Sequence, residues 1–236
     1  MKILALEFSS PQRSVAVLQS GDFNKSSGQT HKTGGEKFDA SEVIETGPCG
    51  MDPIGMIDDA LRQAGIEREQ VGRIAVGLGP GSYNGIRLAI ALAQGWQLAA
   101  GSEAVKVLGI SSAECIAAQA QDENLFGRVT VIIDAQRGEF YLAIYNLTPE
   151  FRQSIEPLRL ASLEEIRQLE SSNDCLVGPE VNKWFPKGRV VFPRAVALAK
   201  LAPNLTDFVQ GEKLEPIYLR ETSFVKAPPP RKFQDK

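Results

Sequence analysis

Histidine and cysteine, the residues that most often build metal and disulfide sites, are scarce in this chain of 236 residues. The single histidine, His31, stands in a polar segment, where a lone histidine is more often solvated than a metal ligand. The three cysteines, Cys49, Cys115 and Cys175, lie far apart and show no CxxC spacing. We therefore expect reduced thiols, and neither a disulfide framework nor a zinc site.

The chain also lacks a basic stripe and a long apolar run. Its 26 Lys and Arg residues are scattered among 29 Asp and Glu residues, and the net charge is −3. A protein that binds nucleic acid alone needs clustered cations, so this balance argues against such a protein. No run approaches the ~18 apolar residues of a membrane helix, and the N-terminal run is too short for a signal peptide. These absences predict a cytoplasmic protein without a membrane segment.

The most informative segment is glycine-rich and reads Gly77-Leu-Gly-Pro-Gly-Ser-Tyr-Asn-Gly-Ile-Arg87. A buried strand is predicted before it, at Ile74–Leu78, and a helix after it, at Gly85–Ala100. Such a loop is either a tight structural turn or a phosphate cradle, since free N–H groups at a helix start favour anions. It lacks the lysine of a Walker loop, and its glycines do not fit the dinucleotide pattern. The helix is apolar on almost every face, which predicts either a core helix or one shared with another chain.

A strand, a carboxylate, a turn and a second strand occur twice in the sequence. The two sets are Ile3–Leu6 with Glu7 and Val15–Leu18, and Val129–Ile133 with Asp134 and Phe140–Tyr145. This weak duplication predicts two lobes of like topology. Glu7 and Asp134 are then either facing carboxylates across a cleft or strand-end residues in hairpin hydrogen bonds or ion pairs.

The remaining elements follow from turn and capping residues. We predict a strand at Phe23–Thr30, a loop over Thr33–Gly50, and a helix that is capped by Asp52, runs to Ala64 and is ended by Gly65. Further along, strands are predicted at Ala104–Leu108, Asp174–Val177 and Arg189–Phe192, and helices at Ser111–Ala120, Ser162–Leu169 and Ala195–Leu201.

Three motifs, spaced over residues 1–220, resemble the TsaB (YeaZ) family. They are the glycine-rich segment, Asp134-Ala-Gln-Arg-Gly-Glu-Phe-Tyr141 and Pro216-Ile-Tyr-Leu-Arg220. The resemblance implies the α/β ASKHA fold of actin, Hsp70 and sugar kinases, with lobes at residues 1–108 and 109–220 and a flexible tail at 221–236. Two segments depart from the family pattern: Glu7-Phe8-Ser9 replaces Asp-Thr-Ser, and Cys49-Gly-Met-Asp52 replaces His-Ser-Glu.

The resemblance also implies a function. TsaB proteins are non-catalytic subunits that bind and stabilise TsaD, which forms N6-threonylcarbamoyladenosine on tRNAs that read codons beginning with adenine. A TsaE-like ATPase is then the second partner, the chain alone is a homodimer, tRNA is contacted only through the complex, and no cofactor or metal is held. One histidine cannot supply the His-x-x-x-His metal pair of the catalytic relatives. The alternative is an ATP-dependent ASKHA kinase or hydrolase in which Glu7 and Asp134 position a metal.

The two helices that flank the strand Ile74–Leu78 are expected to form the partner surface. The predicted contact residues are Ile54, Ile57, Leu61, Tyr83, Arg87, Ile90 and Trp96. Arg87, a cation at a helix start, is expected to reach a carboxylate within the fold or on the partner, or else to extend along the surface into solvent. Replacement of Ile90 by Asp is expected to abolish pairing while leaving the lobes folded.

Overall fold

A computed structural model describes residues 1–20, 29–33, 36–47, 52–101, 104–171 and 175–219. The chain forms two β-sheets with helices on their faces. The first sheet has the order β3-β4-β2-β1-β5-β6, with β1 (Lys2–Glu7), β2 (Gln12–Ser20), β3 (Gln29–Thr33), β4 (Glu36–Thr46), β5 (Arg73–Gly77) and β6 (Lys106–Ile110). The second has the order β11-β10-β7-β8-β9, with β7 (Gly127–Asp134), β8 (Glu139–Leu147), β9 (Arg152–Ser162), β10 (Cys175–Gly178) and β11 (Arg189–Val190). The helices are α1 (Pro53–Ala64), α2 (Tyr83–Ala100), α3 (Ser112–Asp122), α4 (Leu163–Ser171) and α5 (Ala195–Leu201).

The same strand arrangement occurs in both sheets. β1 pairs antiparallel with β2 and parallel with β5, and β7 pairs antiparallel with β8 and parallel with β10. Without β3, the first sheet has the order β4-β2-β1-β5-β6, and the second sheet, read from its other edge, has the order β9-β8-β7-β10-β11. Numbered along the chain within each sheet, both orders are 3-2-1-4-5. Glu7 and Asp134 end the equivalent strands β1 and β7. The predicted duplication and the two-lobed α/β fold are confirmed.

Side chains alternate between the two faces along each strand, so helices pack on both faces of the sheets. On β1, Leu4 and Leu6 pack in one cluster with α1 and α2, while Ile3 and Ala5 pack in another with α5. Helix α3 lies between the sheets, because its Cys115 and Ala118 join the α5 cluster while its Ile116 and neighbouring alanines pack on β7 and β8. Helix α4 packs on the far face of the second sheet through Ile166.

Local signals predicted the helix ends well. The Asp52 side chain accepts a hydrogen bond of 2.9 Å from the Gly55 N–H and so caps α1, and Gly65 ends that helix in the left-handed conformation at φ 64°. Helix α5 has its predicted bounds, Ala195–Leu201.

The predicted loop over Thr33–Gly50 is wrong, because β4 crosses most of it. Nine residues of β2 pair with β4, and this long-range pairing leaves little trace in local composition. His31, assigned to a polar loop segment, lies on β3 instead. Strand β9 was not predicted, since its polar residues mask the alternation of a half-exposed edge strand. Most of the predicted strand Phe23–Thr30, the residue Cys49 and the tail 221–236 lie outside the described residues.

The chain passes from the first sheet to the second between β6 and α3, and later returns. Ile110 still pairs with Gly77 in the first sheet, so the predicted boundary after residue 108 falls within β6. Helix α5 packs on the first sheet, and Val209 bridges to Val107. The division of the chain into domains stays a prediction.

Candidate functional site

A cleft of about 680 Å³ lies between the lobes, at the carboxyl ends of β1 and β7. It is lined by the β1–β2 turn, the end of β4, the glycine-rich loop and the β7–β8 turn. Asp134 lines it half-buried, and its carboxylate accepts a hydrogen bond of 2.7 Å from the backbone N–H of Gln136.

Glu7 does not face this cleft, because its side chain is completely buried. The carboxylate accepts hydrogen bonds from the backbone N–H of Ser9 at 2.8 Å and from the hydroxyl of Ser112 at 3.0 Å. It packs so tightly on Gly77 that a Cβ there would lie 2.1 Å from Oε2. Burial raises the pKa of Glu7, and the hydrogen bonds from Ser9 and Ser112 oppose that shift. Glu7 therefore ties β1 to the start of α3, as in the strand-end interpretation, and it does not share the cleft with Asp134.

The geometry of the glycine-rich loop supports the structural turn over the phosphate cradle. Several of its N–H groups already have partners: Gly79 donates to the Ser112 hydroxyl at 3.1 Å, and Ser82 donates to the Ser9 carbonyl at 2.7 Å. A Cβ at Gly81 would lie 2.1 Å from the Ser9 carbonyl oxygen, and a Cβ at Gly85 would lie 2.0 Å from that of Phe8. Glycine is needed at both positions because the loop docks directly on the backbone of the β1–β2 turn.

Across the described ranges, no group of three or more His, Cys, Asp or Glu side chains is placed to hold a metal ion. In the same ranges no helix is both long enough and apolar enough to span a bilayer.

Helix α2 has one side in the core and another, still largely apolar, in solvent. Its buried side consists of Gly85, Ile86, Ala89, Ile90, Ala93 and Gln97. We call its exposed side, formed by Tyr83, Arg87, Ala91, Gly95 and Leu98, the α2 face. Leu98 is 85% exposed. Beside this face, a groove of about 440 Å³ between α1 and α2 is lined largely by apolar residues, among them Ile54, Ala91, Leu92, Gly95, Trp96 and Ala99.

The structure leaves four of the seven predicted contact residues accessible. Ile54 is 57% and Tyr83 52% exposed, Arg87 is exposed, and Trp96 is half-buried. The other three, Ile57, Leu61 and Ile90, are only 3%, 4% and 6% exposed, because they pack against the first sheet beneath the two helices. Leu61 and Ile90 are therefore not expected to contact a partner directly, whereas Ile57 still lines the groove between α1 and α2. The choice of contact residues stays a prediction.

The burial of Ile90 also changes the expected effect of Ile90→Asp. A carboxylate at this position would enter the chain's own core, so the lobes would not stay intact. The accessible residues Ala91, Gly95 and Leu98 were not among the predicted contact residues. The only signal for them was the apolar character of the whole helix, which does not say which side packs on the sheet.

Arg87 lies in a small aromatic cluster at the start of α2. Its guanidinium donates a hydrogen bond to the Tyr83 hydroxyl and lies 5.2 Å from the centroid of that ring. The Tyr218 ring lies 5.8 Å from the Tyr83 ring, and desolvation raises the pKa of Tyr218. Tyr218 is held there because the neighbouring Ile217 N–H donates to the Leu78 carbonyl at 2.9 Å. Arg87 was expected to pair with a carboxylate within the fold or on a partner. Among the described residues, its side-chain partner is the Tyr83 hydroxyl.

Comparison with known proteins identifies the family. The family profile described as "TsaD: tRNA N6-adenosine threonylcarbamoyltransferase" matches residues 54–218, from α1 to the C-terminal segment. The Escherichia coli (strain K12) protein named "tRNA threonylcarbamoyladenosine biosynthesis protein TsaB" is 30% identical over 184 residues, which cover 70% of this chain and 78% of that protein. The chain belongs to the TsaB family. The TsaB protein of Haemophilus influenzae is 27% identical over 253 residues, 97% of this chain and 98% of that one.

Solved structures give the same result for the fold of this TsaB family member. A Pseudomonas aeruginosa protein described as similar to peptidase YEAZ superimposes with a TM-score of 0.73 and 25% identity, over 93% of this chain and 99% of that chain. YeaZ from the same organism superimposes with a TM-score of 0.71 at 24% identity, over 92% and 99%. The resemblance predicted from the three motifs is confirmed.

Proposed function

We propose that this chain is a cytoplasmic, non-catalytic subunit in the formation of N6-threonylcarbamoyladenosine in tRNA, and that it docks a TsaD-type transferase through the α2 face and the α1/α2 groove. The observation that carries the proposal is the exposure of Leu98 and Ile54 on two helices whose opposite sides form the core. The names of the TsaB relatives support the pathway, and this uncovered surface supports the role within it.

The shape of the surface favours another pair of helices as the occupant. Ala91 and Gly95 leave no bulk between α2 and a helix laid along it, so the two backbones can approach closely. Ile54, 57% exposed, and Leu98, 85% exposed, flank them and supply apolar area; complete burial would contribute about 1–2 kcal/mol for Ile54 and about 1–3 kcal/mol for Leu98. Arg87 adds a cation at the start of α2, where a partner carboxylate would pair with it.

The contacts around the interlobe cleft support a non-catalytic role. Glu7 is turned into the core and Asp134 alone of the two carboxylates lines the cleft, so a metal held between them finds one ligand instead of two. The N–H groups of Gly79 and Ser82 in the glycine-rich loop are occupied by Ser112 and Ser9 and are not available to a phosphate. These contacts disfavour the ASKHA kinase or hydrolase.

The same surface accounts for the other expected assemblies. Two copies would pair through the α2 face when the transferase is absent, because the apolar area is the same whatever covers it. A TsaE-like ATPase and the tRNA would then join the assembled complex. Size-exclusion chromatography with light scattering, with and without the transferase, should show a dimer of this chain replaced by a mixed complex.

A matched pair of variants tests the surface. Ile54→Asp places a carboxylate in the first turn of α1, where the helix dipole favours it, so the chain should remain folded. In the complex, this variant loses apolar burial and leaves a buried carboxylate without a partner. Together these effects should weaken binding by about 3 kcal/mol or more, which raises Kd at least about 100-fold. The control is Ile155→Asp on the edge strand β9 of the other lobe, with a comparable exposure of 48%.

Ile155→Asp should bind the transferase as wild type does. A folded Ile54→Asp variant that still co-elutes with the transferase at wild-type affinity would refute the proposed docking surface.

A further inference from the structure

Three cations meet in a pocket at the end of the first sheet opposite the cleft. Lys2, Arg73 and Lys106 are the first residues of β1, β5 and β6, which run parallel and therefore begin at one edge. Arg73 is in register with Ile3 on one side and with Lys106 on the other. All three line a pocket of about 490 Å³. Since neighbouring strands are about 4.8 Å apart, the backbone positions of the three cations span about 10 Å along this edge. Lys2 precedes the register position Ile3, so its side chain leaves the face of the sheet opposite to that of Arg73 and Lys106.

No carboxylate neutralises this row within the described part of the chain. Lys2 donates a hydrogen bond of 2.8 Å to the side-chain carbonyl oxygen of Gln70, a neutral partner. Arg73 and Lys106 lie against the ring of Phe208, at 5.0 and 5.2 Å from its centroid. Ion pairs among the described residues involve none of the three cations.

The aromatic support matters because it orients two of the cations without cancelling their charge. The acidic residues adjacent in sequence to their partners, Glu69 and Asp207, are exposed and pair with none of them. A pocket with this character selects an anion. The three cations are spread over about 10 Å and over both faces of the sheet edge, which is more than one phosphate group spans and favours a polymer of phosphates over a single small ion.

We propose that the Lys2/Arg73/Lys106 pocket binds backbone phosphates of the tRNA in the assembled complex. This inference rests on the proposed function, which supplies tRNA as the nucleic acid. It adds a direct RNA contact to a chain whose cations are scattered in the sequence and whose net charge is −3.

The position of the pocket suits an RNA that is held chiefly by the partner. Gln70 lines the pocket, while Arg68 and Glu69, immediately before it, line the α1/α2 groove. Ala100, the last residue of α2, also lines that groove, so the pocket adjoins the end of the docking surface where α2 ends. An RNA bound to the docked transferase could therefore continue across the rim onto these three cations.

The test is a titration of fluorescently labelled tRNA against the complex of this chain with the transferase, from 50 to 200 mM salt. The variant is Lys2→Gln/Arg73→Gln/Lys106→Gln. The control, Arg167→Gln/Lys187→Gln/Arg189→Gln, removes the same charge from exposed positions of the second lobe. Because the variant can no longer neutralise three phosphates, the slope of log K against log salt should fall in magnitude by about 2–3, and the affinity at 0.1 M salt by about 10- to 100-fold.

The control variant should keep the wild-type slope and affinity. Co-elution with the transferase is measured on the same samples, so the loss of tRNA binding in an intact complex is distinguished from a failed complex. If the transferase does not bind at all, the proposed function fails, and the same titration on the chain alone still tests the pocket.

Two results would overturn the inference. One is a folded triple variant with wild-type salt slope and tRNA affinity. The other is saturable binding of inorganic phosphate or pyrophosphate to the wild-type pocket while tRNA affinity is indifferent to all three substitutions, which would assign the site to a small anion. If Arg73→Gln lowers the melting temperature, Lys2→Gln/Lys106→Gln serves instead, with an expected slope change of about 1–2.

Discussion

Two glycines of helix α2 offer a direct test of how the glycine-rich loop is packed. Gly85 and Gly95 lie in the same helix, so replacement of either by alanine gains about the same helix propensity, about 1 kcal/mol. Their surroundings differ. A Cβ at Gly95 meets nothing within 4 Å, whereas a Cβ at Gly85 would lie 2.0 Å from the Phe8 carbonyl oxygen.

The cost at Gly85 follows from that distance. An ordinary contact between carbon and a carbonyl oxygen is about 3.3 Å, so the β1–β2 turn and α2 would have to separate by about 1.3 Å. Overpacking of this kind costs about 1–3 kcal/mol or more, and the shift would also strain the hydrogen bond between the Ser82 N–H and the Ser9 carbonyl. Because the gain in helix propensity is common to both variants, we expect Gly85→Ala to be about 1–3 kcal/mol less stable than Gly95→Ala.

Thermal unfolding followed by circular dichroism measures the difference. For a chain of this size, 1 kcal/mol corresponds to about 2–4 °C in Tm. Gly95→Ala should melt about 2–4 °C above the wild type, and the gap between the two variants should be about 2–12 °C. Equal Tm values for the two variants would show that the loop does not pack on the β1–β2 turn as described. The interpretation of the loop as a structural turn would then be refuted.

Two further predictions concern buried carboxylates. Because burial raises the pKa of Glu7, the folded chain holds this proton more tightly than the unfolded one, and the contribution of Glu7 to stability falls as pH rises from about 4.5 through the raised pKa. Denaturant unfolding at pH 5 and pH 7 should therefore show Glu7→Gln gaining stability relative to wild type at the higher pH; a constant difference would contradict this. Glu42, 9% exposed, pairs with Arg194 and links β4 to the start of α5, so Glu42→Ala should cost about 2–4 kcal/mol in urea unfolding. Asp59→Ala, which breaks an exposed pair with Arg62, should cost less than about 1 kcal/mol, and equal losses would refute the burial argument.

The elements predicted well are those whose signals are local. Asp52 and Pro53 mark the start of α1 and Gly65 marks its end, through their own backbone and side-chain preferences. The repeated order of strand, carboxylate and turn predicted two lobes. The predictions that failed depend on distant partners. Strand β4 forms because it pairs with β2, and strand β9 forms because it pairs with β8. The residues within these strands give no local signal of that pairing.

The candidate site divides in the same way. The sequence predicted a partner surface on an apolar helix pair, and the accessible residues Ile54, Tyr83 and Arg87 were among the predicted contacts. The sequence could not distinguish these exposed residues from the buried Ile57 and Ile90, because an apolar residue on α1 or α2 gives the same pattern whether it faces the sheet or solvent. The choice is made by the orientation of each helix on β1 and β5, which is a property of the packed core.

By itself, the sequence determined the family, the duplicated α/β architecture and the ends of the main helices, because each depends on motifs or on neighbours a few residues apart. Only the tertiary structure decided that Glu7 is a buried tie, that Leu98 is uncovered, and that Lys2, Arg73 and Lys106 form one pocket. These cations are separated by more than thirty residues along the chain, and parallel pairing of three strands brings their side chains to a common edge. Burial and charge clustering are sums over distant neighbours, and a local pattern does not contain them.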